Sequence, residues 1–271
     1  MQATRLKRFK NRFRRKTKPV PQNRGVEMVE SFKVMTYNIH SGFGRDRQYH
    51  LDRIIEAIAE EAPDIAALQE VDNNLPRSKF DNQSQILAEA LGMDYHHCVS
   101  YFLKEGEYGI TTLSRFPILN KQRHDISYPR RYKARSVLRT DLRINDSLLL
   151  HVFNVHLGLR TRERHYQARQ LLSDAILLDE ALEDPVIVLG DFNDRPISVV
   201  NPRLKRHFND VLKDSKRRER AKTFRWGLVK FRLDHIYVSN ELKPLNAGVI
   251  ENEITRIASD HLPLIANVEI C

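Results

Sequence analysis

Cysteine is almost missing from this chain: Cys98 and Cys271 are the only two in 271 residues. Two thiols cannot build a disulfide framework, and neither stands in the C-x-x-C spacing of a structural zinc site. A reducing, cytoplasmic compartment is the matching expectation. Long apolar runs are missing as well. Stretches such as Val186–Leu189 fall far short of the ~20 residues a membrane-spanning helix requires. The basic N-terminus is not followed by an apolar segment of secretory length. Neither a spanning helix nor a secretion signal is expected.

Acidic residues are absent from one region. Residues 1–26 hold ten Lys and Arg and no Asp or Glu. The chain's formal charge is +10, so setting those ten aside leaves 35 basic against 35 acidic side chains. The basicity that would suggest a polyanion-binding protein therefore belongs to the tail, and the body is formally neutral. A segment so dense in charge cannot bury enough surface to order itself, which predicts a solvated arm over residues 1–29. Two other readings stay open for it. One is a nucleic-acid-binding arm; the other is a cationic helix whose Leu6, Phe9 and Phe13 stripe contacts an anionic membrane from the outside.

The remainder, residues 30–271, is long and apolar enough for one domain, at 41% hydrophobic residues for the chain. Phe32–Ile39 reads as a strand before the turn-forming Ser41-Gly42. Leu51, Ile54, Ile55 and Ile58 recur at helical spacing up to Pro63, and Ile65–Leu68 follows as a buried strand. A second helix over Gln83–Leu91 is stopped by Gly92. A mostly β middle follows: Tyr95–Phe102, Ile110–Ser114, Ile118–Ile126, Ser136–Ile144 and Leu148–His156. The spacing of Leu171, Leu172, Ala175, Ile176, Leu178 and Leu182 predicts one long amphipathic helix over 161–183. Strands are expected at Val186–Leu189, Leu233–Val238 and Leu264–Val268, with basic loop or helical material over 203–222. No internal repeat is visible in the residue order. Helices alternating with strands and a hairpin-rich centre suggest two packed sheets with helices outside.

Six segments share one grammar, an apolar strand ending in polar residues able to bind metal or move protons. They are Met35-Thr36-Tyr37-Asn38-Ile39-His40, Leu68-Gln69-Glu70-Val71-Asp72, Asn154-Val155-His156-Leu157, Leu189-Gly190-Asp191-Phe192-Asn193-Asp194, Arg232-Leu233-Asp234-His235-Ile236 and Ser259-Asp260-His261-Leu262-Pro263. In these residues and their order the chain resembles the endonuclease/exonuclease/phosphatase family, a group of deoxyribonuclease-like metal-dependent phosphoesterases. The Gly-Asp-Phe-Asn and Ser-Asp-His-x-Pro strings are the most specific elements, and the resemblance spans about residues 31–269. It implies an α/β (α+β) fold, a four-layered αββα sandwich of two mixed β-sheets face to face with outer helices.

The resemblance also implies roles. Asn38, Glu70 and Asp260 would hold Mg²⁺ (or Mn²⁺), a hard cation that prefers carboxylate oxygens. Asp191 would position or deprotonate the attacking water, with Asn193 holding the phosphate. His261, oriented by Asp234, would take the nucleophile's proton or stabilise the phosphoryl oxygens, and His156 would be a second active-site histidine. His40, His151 and His235 have no such support and read as structural. Arg160, in the group of Arg160, Arg162 and Arg164 that follows His156, and Arg77, in the loop after Glu70, are candidate phosphate clamps, and Arg130, Arg131, Lys133 and Arg135 form a further basic cluster before a strand. One departure is Tyr108-Gly109-Ile110, where many small bacterial members carry a polar third residue. The expected enzyme is a monomeric phosphoester hydrolase, first of all an endonuclease or other phosphodiesterase on nucleic acid, with Trp226, Tyr128 and Tyr132 as stacking platforms. The alternative is a phospholipid or small-molecule phosphoesterase, although no hydrophobic hairpin stands out in the sequence.

Overall fold

Along β1 (Ser31–Asn38) side chains alternate between two faces, as strand geometry dictates. Phe32 and Val34 point one way, Met35 and Tyr37 the other, and all four are buried. A strand buried on both faces needs cover on both, and the layers follow from that need. The computed structural model describes residues 31–271 except 104, 130, 131, 184, 195–198, 213–220 and 228, with only the backbone of Trp226. The basic tail, Arg130, Arg131 and residues 213–220 of the basic stretch lie outside the described residues.

One sheet runs in the order β13 (Leu242–Val249), β14 (Leu264–Ile270), β1, β2 (Ile65–Asn73), β4 (Gly106–Ser114) and β3 (Asp94–Leu103). The other runs β5 (Ile118–Asp125), β6 (Ser136–Arg143), β7 (Leu149–His156), β8 (Val186–Asp191), β12 (Asp234–Val238) and β9 (Asn209–Asp210). Between them lies a layer that includes Val34, Ile65, Val152, Ile187 and Ile236. Helices α1 (Leu51–Glu61) and α2 (Gln83–Leu91) cover the first sheet with Ile54, Ile58 and Leu87. The second is covered by α3 (Thr161–Leu171) and α4 (Val200–Leu204) through Ala168, Leu171, Val200 and Leu204. The result is the four-layered sandwich of two mixed sheets.

Each sheet has a single parallel pair at its centre, β1 with β2 and β7 with β8, all other pairings being antiparallel. Each parallel pair is joined by a crossover that contains a helix, α1 or α3. This two-fold likeness has no counterpart visible in the residue order. It places the carboxyl ends of all four central strands at one end of the sandwich, where open α/β sheets present their ligand sites.

Behind that end the two sheets are tied by a polar network. Gln69 Nε2 donates to Asn154 Oδ1 at 2.9 Å, and Asn154 Nδ2 donates to the carbonyls of Leu68 and Thr111 at 3.2 and 3.0 Å. Each such bond contributes a net ~1 kcal/mol, while orphaning a buried amide costs about 1–3 kcal/mol. The network therefore specifies how the sheets register more than it adds stability.

Three elements differ from expectation. The helix over 161–183 stops at Leu171: Ser173 Oγ donates to the Gln170 carbonyl at 2.6 Å, diverting the backbone into turns. Ile176 and Leu177 still reach the core, but from those turns. β13 was not legible because an edge strand containing Pro244, with a bulge between Pro244 and Asn246, has no clean alternation. The short hairpin of β10 (Phe224–Trp226) and β11 (Val229–Phe231) pairs outside both sheets.

Candidate active site

The six polar strand ends meet at this one end. Asn38 ends β1, Glu70 lies near the end of β2, and His156 and Asp191 end β7 and β8. Asp234 opens the antiparallel β12, and Asp260 and His261 precede β14. Register pairs Asn38 with Gln69 across one sheet and His156 with Asp191 across the other, so the site straddles the pseudo-two-fold relation of the sheets.

Local backbone exceptions aim these side chains. Gln69 faces the inter-sheet layer, so plain alternation would turn Glu70 outward. A bulge between Gln69 and Val71, with Glu70 at φ 57, swings its carboxylate back to the site. In the other sheet Gly190, at φ 151, has the Val155 carbonyl 1.9 Å from where a Cβ would stand, so only glycine fits. Asn193 takes φ 49 just beyond. Its backbone N–H donates to Asp191 Oδ1 at 2.9 Å and its Nδ2 to the Leu157 carbonyl at 2.9 Å.

Asp191 is the centre. Its Oδ2 accepts from Asn38 Nδ2 at 3.0 Å and lies 3.6 Å from His156 Nε2 and 3.7 Å from His261 Nε2. His261 Nδ1 donates to Asp234 Oδ2 at 2.8 Å. The Thr223 hydroxyl receives the backbone N–H of Asp234 at 3.1 Å, and Phe224 packs its ring 4.8 Å from the imidazole. Asn38 Nδ2 also reaches Glu70 Oε1 at 3.1 Å. Ser259 Oγ donates to the Asn38 carbonyl at 2.8 Å, which brings the segment bearing Asp260 alongside β1.

The two histidines are driven to opposite charge states. Burial opposes charge on His261, but the carboxylates of Asp234 and Asp191 outweigh it and push the imidazolium up to about 10. Burial, together with the charges of Arg135 and His261, holds His156 well below the usual histidine range. Burial likewise pushes the Asp191 carboxyl up to about 7, against the opposing pull of His261. A buried acid beside one charged and one neutral imidazole is a division of labour suited to proton transfer.

Arg135 is the residue the sequence did not single out. It stood in a cluster of four cations before a strand, yet it is 6% exposed where Lys133 is exposed, with Nη1 3.0 Å from His156 Nδ1. A guanidinium only donates, so Nδ1 must accept and the ring's proton sits on Nε2, facing Asp191. Replacing Arg135 with Met is expected to release that tautomer and raise the His156 pKa. The acidic limb of the kcat/KM profile should then shift upward, with Arg135→Lys partly restoring it. An unchanged pH profile, with only the melting temperature lowered, would reduce Arg135 to packing.

The remaining candidates are placed as follows. Arg77 turns its fork onto Asp72, at 2.7 and 2.6 Å, and lies over the Tyr108 ring, so its charge serves the loop after β2. Arg160 is exposed at the start of α3, 5.2 Å over the Tyr132 ring. His151 pairs with Asp141 at 2.7 Å and His235 packs flat on Tyr237, both away from Asp191. His40 sits on the site's edge, its Nδ1 3.8 Å from Asp260 Oδ1. Ile110 is fully buried with Cys98 and Leu138, so its position contributes an apolar contact where a polar one was expected.

The donors fit a hard cation. Glu70 and Asp260 have side chains 26% and 34% exposed, and no Lys or Arg among the described residues pairs with either. Asp191, Asp234 and His261 also bring three ligand-type atoms within 4.8 Å of one another. There the His261–Asp234 hydrogen bond already occupies the facing atoms, so that trio reads as proton machinery.

Comparison with known proteins agrees. The family model described as Endonuclease/Exonuclease/phosphatase family matches residues 35–261. The Escherichia coli (strain K12) protein named Uncharacterized protein YbhP is 30% identical over 249 residues, covering 89% of this chain and 97% of that one. An endonuclease/exonuclease/phosphatase from Beutenbergia cavernae matches at TM-score 0.74 and 20% identity, over 89% of this chain and 72% of that chain. The human Nocturnin catalytic domain, solved with a bound sulfate anion, matches at 0.70 and 22%, over 93% and 98%. At such identities the two structures speak for the fold, whereas the family model spans most of the sequence including every strand-end motif between Met35 and His261; the chain belongs to the endonuclease/exonuclease/phosphatase family.

Proposed function

We propose that the chain is a divalent-metal-dependent hydrolase of phosphoesters, acting on a phosphodiester. The supporting observation is one atom, Asp191 Oδ2, surrounded by the Asn38 amide and the two histidine Nε2 atoms within 3.7 Å. Attack on phosphorus needs an oriented water that can lose its proton and donors where charge develops on oxygen. Asp191 is the acceptor for that proton, with its carboxyl raised toward neutrality by burial. His261 presents a charged Nε2–H and His156 a neutral one, two donors on the same pocket for phosphoryl and leaving oxygens. Asp234 keeps His261 in register, and Asn193 turns one amide edge to the pocket wall at Leu157. Asn38, Glu70 and Asp260 would hold Mg²⁺ or Mn²⁺, which when bound neutralises developing negative charge on the ester oxygens.

The nucleic-acid reading of the substrate draws on aromatic and cationic pairs near this end. Tyr101 stacks on Tyr108 at 4.7 Å with Lys133 6.0 Å above Tyr101, and Tyr128 contacts Tyr132; such surfaces suit bases and backbone. A second reading, a phospholipid diester, is favoured by one observation: aliphatic side chains such as Leu103 and Leu159 are exposed beside the site, where a polyanion offers them nothing.

The first test is turnover of bis-p-nitrophenyl phosphate, plasmid DNA, RNA and phospholipid with Mg²⁺ or Mn²⁺ and with EDTA. Hydrolysis that EDTA suppresses by about 100-fold or more is expected. Equal rates with and without the chelator would end the metal-dependent reading.

A further inference from the structure

We infer that the end of the sandwich bearing the site is a docking surface for an anionic phospholipid membrane. This deepens the second substrate reading and rests on it. Ten large hydrophobic side chains are exposed among the described residues, and seven of them stand at this end. Phe80, Phe102, Leu103, Leu159 and Val229 project from the β2–α2 loop, the β3–β4 turn, the β7–α3 loop and the β10–β11 hairpin. Tyr132 and Ile257 belong to the same end, in the connections before β6 and β14. The other three, Tyr95, Leu119 and Leu245, lie on the edge strands β3, β5 and β13, Tyr95 and Leu119 at the opposite end of their sheets.

Charge follows the same axis. The connections at the site end expose more Lys and Arg, among them Lys79, Lys133, Arg160, Arg162 and Lys230, than Asp and Glu, which include Asp46, Glu105, Glu251 and Glu253. Those at the opposite end expose Asp146, Asp174, Glu180, Glu183 and Glu241 against Lys205 and Arg206. The exposed charge of a body with no net charge is therefore biased, with cations in excess at the end where the site opens and acids in excess at the other. That field turns the site toward a negative surface. Nucleic acid would satisfy the cations but not the aliphatic tips. A lipid interface satisfies both, because apolar side chains enter the boundary of headgroups and acyl chains while Lys and Arg meet lipid phosphates. The tips come from four separate segments around the site, so they would bring it level with headgroup esters.

The full-length chain is tested in EDTA, without turnover, by sedimentation with phosphatidylglycerol/phosphatidylcholine vesicles and with phosphatidylcholine alone. Trp226, the chain's single tryptophan, belongs to the β10–β11 hairpin, so its fluorescence reports contact at this end. Binding to the anionic vesicles, with quenching by brominated acyl chains, is expected. The triple variant F102S/L159S/V229S should bind about tenfold more weakly or less while cleaving a soluble diester within about twofold of the parent rate. K133E/R162E should lose the preference for anionic lipid. Wild-type binding by the triple variant, or vesicle binding with unquenched Trp226, would overturn the inference and assign attachment to the tail. Oligonucleotide binding that K133E/R162E abolishes, without vesicle binding, would overturn it in favour of nucleic acid. Docking and hydrolysis fail separately: vesicle binding without any phosphoester cleavage retracts only the proposed activity, and cleavage of soluble diesters without binding retracts only the docking.

Discussion

Replacing His261 with alanine is expected to lower kcat by about 10³-fold or more, the scale on which a positioned proton donor or acceptor acts. The change removes the Nε2–H that faces Asp191 and leaves Asp234 buried beside an empty place, where its Oδ1 already has no hydrogen-bond partner among the described residues. Stability has a pH signature of its own. The folded pKa of His261 lies above that of an unfolded histidine, at about 10 against ~6.5. A raised base contributes stability that is fully present below the unfolded value and lost as pH rises through the folded one. The unfolding free energy of wild type minus His261→Gln, measured by urea titration in EDTA, should thus be largest near pH 6 and close on approaching pH 10. A gap that widens toward alkaline pH would show that the imidazole is not held charged by Asp234 and Asp191.

Asp191→Asn is expected to have the second large effect, a fall in kcat of about 10³-fold or more, with little change in the metal concentration needed for half-maximal rate. Glu70→Gln provides the contrast. Its carboxylate is partly exposed and accepts one hydrogen bond, from Asn38, so its loss should raise that metal requirement at least about tenfold, as loss of a charged ligand does. Metal titration of the initial rate separates them. If Asp191→Asn needed the larger increase in metal, Asp191 would be a ligand and the assignment of its Oδ2 to the water's proton would fall.

Much of the fold was legible because its determinants are local. Ile54, Ile55 and Ile58 recur at helical spacing on one face of α1, Gly92 closes α2 in the left-handed region, and β7 and β8 read as strands buried on both faces. What failed to show depended on competition or context. Ser173 ended α3 early by capturing a carbonyl, and β13 is an edge strand whose pairing tolerates Pro244. The apolar tips escaped notice because Phe102-Leu103, Leu159 and Val229 stand in three distant segments; no hydrophobic hairpin had to exist in sequence for an apolar rim to exist in space.

The candidate site divides along the same line. By itself the sequence determined the inventory: six polar segments beside apolar strands carrying Asn38, Glu70, His156, Asp191, Asp234 and Asp260-His261, in the family's order, with an excess of charge confined to the tail, although in the structure Asp234 opens its strand and Asp260-His261 precede theirs rather than ending one. Those are properties of short segments, written in residue types a few positions apart. Which of these groups touch, and in which charge state, was decided by tertiary structure alone. Only the meeting of two sheets puts Asn38 and His261 from one against Asp191 and His156 from the other, and only burial between them pushes the two imidazoles to opposite charge. Arg135 is the clearest case. In sequence it is one cation among four; in space it is buried on His156 while Lys133 stays exposed, because electrostatics act over ångströms and not over residue numbers.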